Sequence, residues 1–443
     1  MLLDTHTANR LLPTVARCEV VVAPTTSRPV RYRLVAACLI LASVLFHLAY
    51  LLWWCPLDLA PDEAHYWLWS RHLDWSYYSK GPLVAWLMRA SCELFGTSVF
   101  AVRFPAVMCH AALLAGLFSL TLVTMRCHRT ALAVVALALT LPGVTAAAVV
   151  MTIDPPFLAC WCWALVFAWK AIDSGRLSCW VGAGLCSALG VLAKYPMLLL
   201  PLAVGGFLLV NRPRALRRRG YWVMLAITAI GCVPILLWNA ANGWVSFRHV
   251  FGQAGGSGGV RWLGPLAFAG GQGVVLLGYW FAAFARAAWQ FRRSNDSGLS
   301  FLWWVSVPVW AVFLLASLRT TGQVNWPAAA YLGGLVLTVV VVKQQLVARP
   351  RVAVPLLAVA IVMGAGVSVV AHFPGVVRPV FVLLAGSEID ANRPAIRRVD
   401  PTCRLRGWQT LAKEVDAIRD RVRAETGTDP AIAGMVWTTP GEL

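Results

Sequence analysis

Apolar residues in this chain come in long runs separated by short polar segments. Eleven runs stand out, at about 33–54, 102–125, 130–150, 155–172, 178–193, 196–210, 221–241, 265–285, 299–318, 326–342 and 352–372. Runs of ~20 apolar residues match the thickness of a bilayer's hydrocarbon core when helical. A backbone in lipid must satisfy its own N–H and C=O groups, so such runs are helices. Lys194-Tyr195-Pro196 splits one long apolar stretch into two short helices that meet at one face. The segment 377–386 reads as a further interfacial or partial span. The pattern predicts an all-α polytopic membrane protein, a bundle of about 11–13 helices.

The segments between spans differ in character. The first, 55–101, is long and aromatic, with Tyr66, Trp67, Trp69, Trp75, Tyr77, Tyr78 and Trp86 among interspersed leucines. Trp and Tyr favour the membrane–water boundary, which predicts interfacial helices in this loop. After the seventh span, the segment from Trp238 to His249 runs into glycine-rich 252–259, either a lid or a plain connector. The tail turns polar from 388. There Leu411, Val415, Ile418 and Val422 recur at helical spacing and predict one amphipathic helix.

Charge fixes the orientation. Of the 443 residues 59% are hydrophobic and 13% charged, and the net charge is +19. The positive charge is not a patch for nucleic acid. It collects in alternate loops: Arg10, Arg17, Arg28, Arg31 and Arg33 before the first span, and Arg212, Arg214, Arg217, Arg218 and Arg219 before the seventh. An excess of this kind marks cytoplasmic loops. The expected organisation is a cytoplasmic tail at 1–32, a membrane domain at 33–372 with its first outer loop at 55–101, and a short outer segment at 373–443. No apolar core with a cleavage motif lies in residues 1–30, so the first span is read as an uncleaved signal-anchor. The twelve Cys show neither CxxC pairs nor metal spacing.

The acidic residues are the informative minority. Asp58, Asp62, Glu63, Asp74, Glu93 and Asp154 lie near the outer ends of the first few spans, and Asp296 is the only acid between Asp173 and Glu388. A charge beside hydrocarbon costs several kcal/mol, so carboxylates placed there usually have a task. Asp62 and Glu63 follow Pro61, where one carboxylate could serve as a general base or cap a helix. Asp154 in Thr152-Ile153-Asp154-Pro155-Pro156 has the same two readings. Lys80, in Tyr77-Tyr78-Ser79-Lys80-Gly81-Pro82, could hold a phosphate as a point charge or snorkel to lipid headgroups. Lys194 with Tyr195, and Arg248 with His249, add cations at the same level. Together they suit an anionic, lipid-linked substrate. No histidine pattern supports a tightly bound metal or cofactor, while a loosely held divalent cation on Asp62 and Glu63 stays open.

Pro61-Asp62-Glu63-Ala64-x-Tyr66-Trp67, Tyr77-Tyr78-x-Lys80-x-Pro82-Leu83 and Arg103-Phe104-Pro105 resemble polyprenyl-phosphate-dependent GT-C glycosyltransferases. The nearest branch is bacterial family 39 and the aminoarabinose (lipid A) transferase-like group. Trp238-Asn239-x-x-Asn242-Gly243-Trp244-x-Ser246-Phe247-Arg248-His249, Asn325-Trp326-Pro327, and Asp400-Pro401 with Arg406-Gly407-Trp408 follow in the same order. The resemblance implies a GT-C-type bundle in a bacterial inner membrane with its site on the periplasmic face. It implies inverting transfer of a sugar from undecaprenyl phosphate to lipid A or another envelope glycolipid or protein.

By position in these motifs, Asp62 would activate the acceptor, with Glu63 its partner in the acidic motif. Lys80, flanked by Tyr77 and Tyr78, would contact the donor phosphate. Asp154 would position Lys80 or the acceptor, and Lys194 and Tyr195 are secondary candidates for the carrier phosphate. Arg248 and His249 are further substrate-binding candidates. Two departures stand out: the outer segment looks shortened, and Ser79 and Gly81 stand where relatives often differ. A protein O-mannosyltransferase, a lipid or solute transporter and an inactive copy are the competing readings. A transporter would place its charges at mid-membrane rather than at span ends.

Overall fold

The computed structural model describes residues 27–253, 259–385, 389–390, 393–394 and 399–432. Most of the expected cytoplasmic tail (1–32), the centre of the glycine-rich run (254–258) and residues 433–443 lie outside them. Each predicted apolar run is met by a helix or helix pair. The described residues begin with α1 (Ser27–Ala49), which continues as a π-helical turn, Tyr50–Trp54. The first loop then holds two helices, α2 (Pro61–Arg71) and α3 (Leu83–Phe95). The first half of the bundle follows as α4 (Val99–Met125), α5 (His128–Ala138), α6 (Pro142–Ala146), α7 (Asp154–Ser174) and α8 (Leu177–Ala193). It is completed by α9 (Leu199–Asn211), the single turn α10 (Pro213–Leu216) and α11 (Arg219–Ala241).

The second half runs through α12 (Val245–Gln253), α13 (Gly264–Val275), α14 (Tyr279–Phe291), α15 (Ser297–Trp304), α16 (Val307–Ala316), α17 (Ala330–Ala348) and α18 (Pro350–His372). A short α19 (Arg378–Ala385) leads to a two-residue antiparallel pair that sets Ile389 against Pro394 and Asp390 against Arg393. The helix Trp408–Thr426 carries the periodicity expected of the tail. Among the described residues seven helices are long and apolar enough to cross a membrane, or eight counting a bent pair. The chain is a multi-span helical membrane protein.

Two predicted spans depart from straight helices. The run 130–150 is helical only to Ala138 and then passes through α6, because Pro142-Gly143 cannot continue the ladder. The run 265–285 becomes α13 and α14, which meet at 119° across Leu276–Gly278, where Gly278 takes φ +65°. Lys194-Tyr195-Pro196 divides α8 from α9 as the sequence predicts, through a tight turn at Tyr195–Leu198.

Helix α7 is the centre of the bundle. Two thirds (67%) of its apolar window is buried, against 22% for the first span and 17% for α18. Trp161 and Phe157 on α7 are fully enclosed. Lipid supplies no partner for an indole N–H, and here Trp163 and Trp169 donate to the Ala112 and Val123 carbonyls of α4, at 2.9 and 2.8 Å. Helices α8 and α11 approach through small residues. A methyl group at Gly231 would overlap Ala188 of α8, so this contact exists only because the residue is glycine.

The first loop is tied to this bundle by a buried ion pair. Arg103 sits one turn into α4 and is 1% exposed, while Glu63 on α2 is fully buried. Arg103 donates from Nε to Glu63 Oε1 at 3.0 Å and from Nη2 to Oε2 at 2.7 Å. Its remaining N–H groups reach the carbonyls of Leu57 and Asp58. Glu63 also accepts from the backbone N–H of Ala60 at 2.9 Å and of Met151 at 2.8 Å. One carboxylate therefore fixes the start of α2, the first turn of α4 and the segment entering α7. Removing one member of a buried pair leaves an uncompensated charge and costs about 3–5 kcal/mol. Arg103→Met should sharply lower the thermal midpoint in detergent, and Arg103→Met with Glu63→Gln should recover part of it. Equal midpoints for wild type and the single variant would show that this pair does not hold the loop.

Candidate active site on the carboxylate-bearing face

The first loop folds so that one turn carries Lys80 forward. Tyr77 N–H donates to the Lys80 carbonyl at 3.1 Å and Ser76 Oγ to the same oxygen at 3.3 Å. Tyr77 lies flat on Trp69, with centroids 4.4 Å apart, and its hydroxyl is engaged by the backbone of Trp69, His72 and Asp74. Tyr77 thus builds the turn, whereas Tyr78 is exposed and rests against the His249 ring at 4.8 Å. A Cβ on Gly81 would run into the Leu192 carbonyl, so only glycine lets this turn lie against the last turn of α8. That approach brings Lys80 beside Lys194, and both line a small pocket of about 160 Å³ with Tyr195 and Trp326.

The segment after α11 closes over the turn. Asn239 is fully buried, accepts from Ser246 N–H and donates to the Ile235 carbonyl, and Ser246 Oγ donates to the Tyr77 carbonyl at 2.7 Å. Gly243 and Trp244 both take positive φ, which turns the chain into α12. Phe247 on α12 stacks on Tyr195, and His249 faces Tyr78 near Lys80. Arg248, one residue before, is exposed.

The six carboxylates that the sequence singles out near the ends of the first spans divide sharply. Asp58 accepts from Trp408 N–H at 2.9 Å and Asp74 from the Trp238 indole at 2.6 Å, so both fasten one segment to another. Glu93 pairs with Arg89 one helical turn away, and Glu63 is committed to Arg103. Asp154 receives Lys194 Nζ on Oδ1 and Asn325 Nδ2 on Oδ2, each at 2.6 Å. Among the described residues, Asp62 alone of the six accepts no hydrogen bond and joins no ion pair. Lys80 likewise has no carboxylate bound to its ammonium there.

Asp62 does not cap α2. That position belongs to Ala60, whose N–H is taken by Glu63. Asp154 is likewise the first residue of α7 rather than its cap, and its carboxylate points to Lys194 instead of back along the helix.

The electrostatics follow from this crowding. Asp62 keeps an accessible surface, yet the surrounding protein strips enough water to raise its carboxyl above the usual range. Asp154 and Glu63 push the same way, while Lys80 and His65 oppose it. Burial, and then Lys194, hold the Lys80 ammonium below the usual lysine range, partly offset by Asp62 and Asp154. Among the described residues, the site brings together a carboxylate without a partner, a lysine without a carboxylate partner and a second lysine bound to Asp154. Both oxygens of Glu63 are engaged, so of the Asp62–Glu63 pair only Asp62 has oxygens open to a cation.

Below this face lies a larger space. An apolar cavity of about 340 Å³ runs between α4, α7, α14 and α17, lined by Leu117, Leu158, Phe284 and Leu335, with Asp154 and Asn325 at its polar end. Sequence reasoning did not reach the roles of Arg103 or Asn325. Arg103 had a signal, since an arginine one turn into an apolar span must find a counter-charge. Asn325 had none beyond its place in the Asn-Trp-Pro motif.

Residues 79–238 match the family model described as dolichyl-phosphate-mannose-protein mannosyltransferase. Over 296 residues the chain is 30% identical to the lipid A galacturonosyltransferase RgtD of Rhizobium johnstonii, a match covering 64% of this chain and 60% of the relative. The chain thus spans about three fifths of the length of the curated relative it matches. The crystal structure of ArnT from Cupriavidus metallidurans bound to undecaprenyl phosphate superposes with a TM-score of 0.57 at 20% identity, covering 95% of this chain and 85% of that one. The apo form of the same protein gives 0.52 at 20% identity, covering 86% and 74%. The fold is therefore that of ArnT, and the segment matched by the family model carries Lys80, Asp154 and Lys194.

Proposed function

We propose that the chain is a membrane glycosyltransferase that moves a sugar from a polyprenyl-phosphate carrier, undecaprenyl phosphate by analogy, to a lipid A-type acceptor on the periplasmic side of a bacterial inner membrane. The observation that carries this reading is Asp62, among the described residues the one carboxylate of this face without a partner, set near Lys80, which has no carboxylate partner there. The ArnT structure with its bound carrier and the lipid A-directed relative support the choice of substrates.

In the proposed step the acceptor hydroxyl gives its proton to Asp62 as its oxygen attacks the anomeric carbon of the donor sugar. The bond from that carbon to the phosphate oxygen breaks, and its electron pair leaves with the polyprenyl phosphate. Lys80, joined by Lys194, stabilises the charge that grows on the leaving phosphate, so no acid is needed there. Attack from the side opposite the phosphate inverts the anomeric centre. Glu63 acts through structure: it holds α2, and Asp62 with it, against α4. The apolar cavity suits a hydrocarbon chain whose head lies at the Asp154 end. Ion-pairing residues at span ends favour a surface reaction over passage through the bundle. The step itself calls for no tightly bound cofactor.

Purified protein in proteoliposomes should transfer label from a undecaprenyl-phosphate sugar to lipid A, and Asp62→Asn should reduce kcat by about 10²–10⁴-fold, as expected for loss of a general base. Label appearing in protein instead of lipid would redirect the acceptor. Equal rates for the variant and wild type would remove Asp62 from the chemistry.

The pH profile provides a second check. The base works as a carboxylate, so a raised Asp62 pKa moves the acid limb of kcat/KM upward from the ordinary value of about 3.9. The phosphate contact needs a charged lysine, so a lowered Lys80 pKa moves the alkaline limb downward from about 10.4. The bell should be narrower than unperturbed groups would give, from both sides. An acid limb at or below the ordinary carboxylate value would contradict the role given to Asp62.

A further inference from the structure

The Asp154–Lys194 ion pair stands between two spaces. Asp154 and Asn325 line the apolar cavity, whereas Lys194 and Trp326, the residue after Asn325, line the smaller pocket that holds Lys80. The wall common to both is therefore the 2.6 Å contact between Lys194 Nζ and Asp154 Oδ1, together with the backbone step from Asn325 to Trp326. Both charged side chains are largely shielded from water, Lys194 at 9% and Asp154 at 17% exposure.

On the reading proposed above, a lipid phosphate with its chain in the cavity and its head on Lys80 and Lys194 must engage Lys194 across this wall. As long as the ion pair is closed, the charge of Lys194 is spent on Asp154. When a phosphate takes Lys194, Asp154 is left as an anion beside another anion where little water screens them. That repulsion would oppose binding unless something else holds the carboxylate.

Asn325 is placed to do this. Its Nδ2 donates to Oδ2 at 2.6 Å, the carboxylate oxygen that Lys194 does not take. The amide is uncharged, so it offers the phosphate no competing cation and need not change partner. We infer that Asn325 is a positioning residue that retains Asp154 at the cavity wall and thereby lets Lys194 exchange Asp154 for the donor phosphate. Asn325 touches neither phosphate nor sugar in this scheme. It acts wholly through Asp154.

The test measures binding of undecaprenyl phosphate to the full-length protein in nanodiscs, with no turnover required. A hydrogen bond to a charged group in a shielded site is worth enough for Asn325→Leu to weaken binding by about tenfold or more. Asn325→Gln, which keeps the amide donor, should recover much of the loss. In an Asp154→Asn background the same Asn325→Leu change should cost little, because the anion it restrains is gone. In turnover the loss should fall mainly on the donor KM rather than on kcat.

A merely structural role would lower binding by the same factor in both backgrounds and would overturn the inference. So would wild-type affinity in Asn325→Leu. If wild type itself bound no undecaprenyl phosphate, the proposed function would fall and this inference with it. Binding by wild type with no effect of Asn325→Leu would remove only the inference.

Discussion

The buried pair between Glu63 and Arg103 is the constraint on which the site depends. A charged arginine one turn into an apolar helix and a glutamate with no exposed surface are each untenable alone at a membrane boundary. Together they satisfy the ends of three segments: the run 55–63, the head of α4 and the approach to α7 at Met151. The consequence reaches one residue further. With Glu63 turned inward and capping α2, its neighbour Asp62 is held on the accessible side of the same first turn. The acidic pair divides by orientation, one side chain bound into the structure and one left accessible, to which the proposed chemistry is assigned.

The rest of this face repeats the pattern. Asp58 fastens the tail through Trp408, Asp74 fastens the first loop to α11 through Trp238, and Asn239 with Ser246 seats the next loop over the Lys80 turn. These contacts join segments far apart in the chain and satisfy polar groups that lipid would leave stranded. Within the frame they define, Asp62, Lys80 and the Asp154–Lys194 pair are the groups to which the proposed chemistry is assigned. The arrangement sits where an apolar cavity meets a two-lysine pocket, and the proposed lipid-phosphate substrate rests on that geometry.

Much of this was legible in the sequence because lipid leaves so few options. The apolar runs dictate helices, and the break at Lys194-Tyr195-Pro196 and the helix in the tail follow from residue types alone. The interior of α5–α6 and the bend at Gly278 were not legible, since a run of apolar residues reads alike whether its helix is straight or interrupted. Asp62, Lys80, Asp154 and Lys194 could be singled out by the cost of charge at a membrane. Their pairing could not, because it depends on which loops meet in space. Hence the division of labour between Asp62 and Glu63, the commitment of Tyr77 to its own turn and the bond from Asn325 to Asp154 appear only in three dimensions.

The central claim is that this face receives a lipid phosphate between Lys80 and Lys194. The most direct measurement is a cryo-electron microscopy structure of the protein in nanodiscs with undecaprenyl phosphate. The account expects phosphate density within hydrogen-bond reach of both lysine ammonium groups, a chain continuing into the cavity lined by Leu117 and Leu335, and Asp154 parted from Lys194. Density for the phosphate elsewhere, with the Asp154–Lys194 pair closed and the cavity empty, would contradict it.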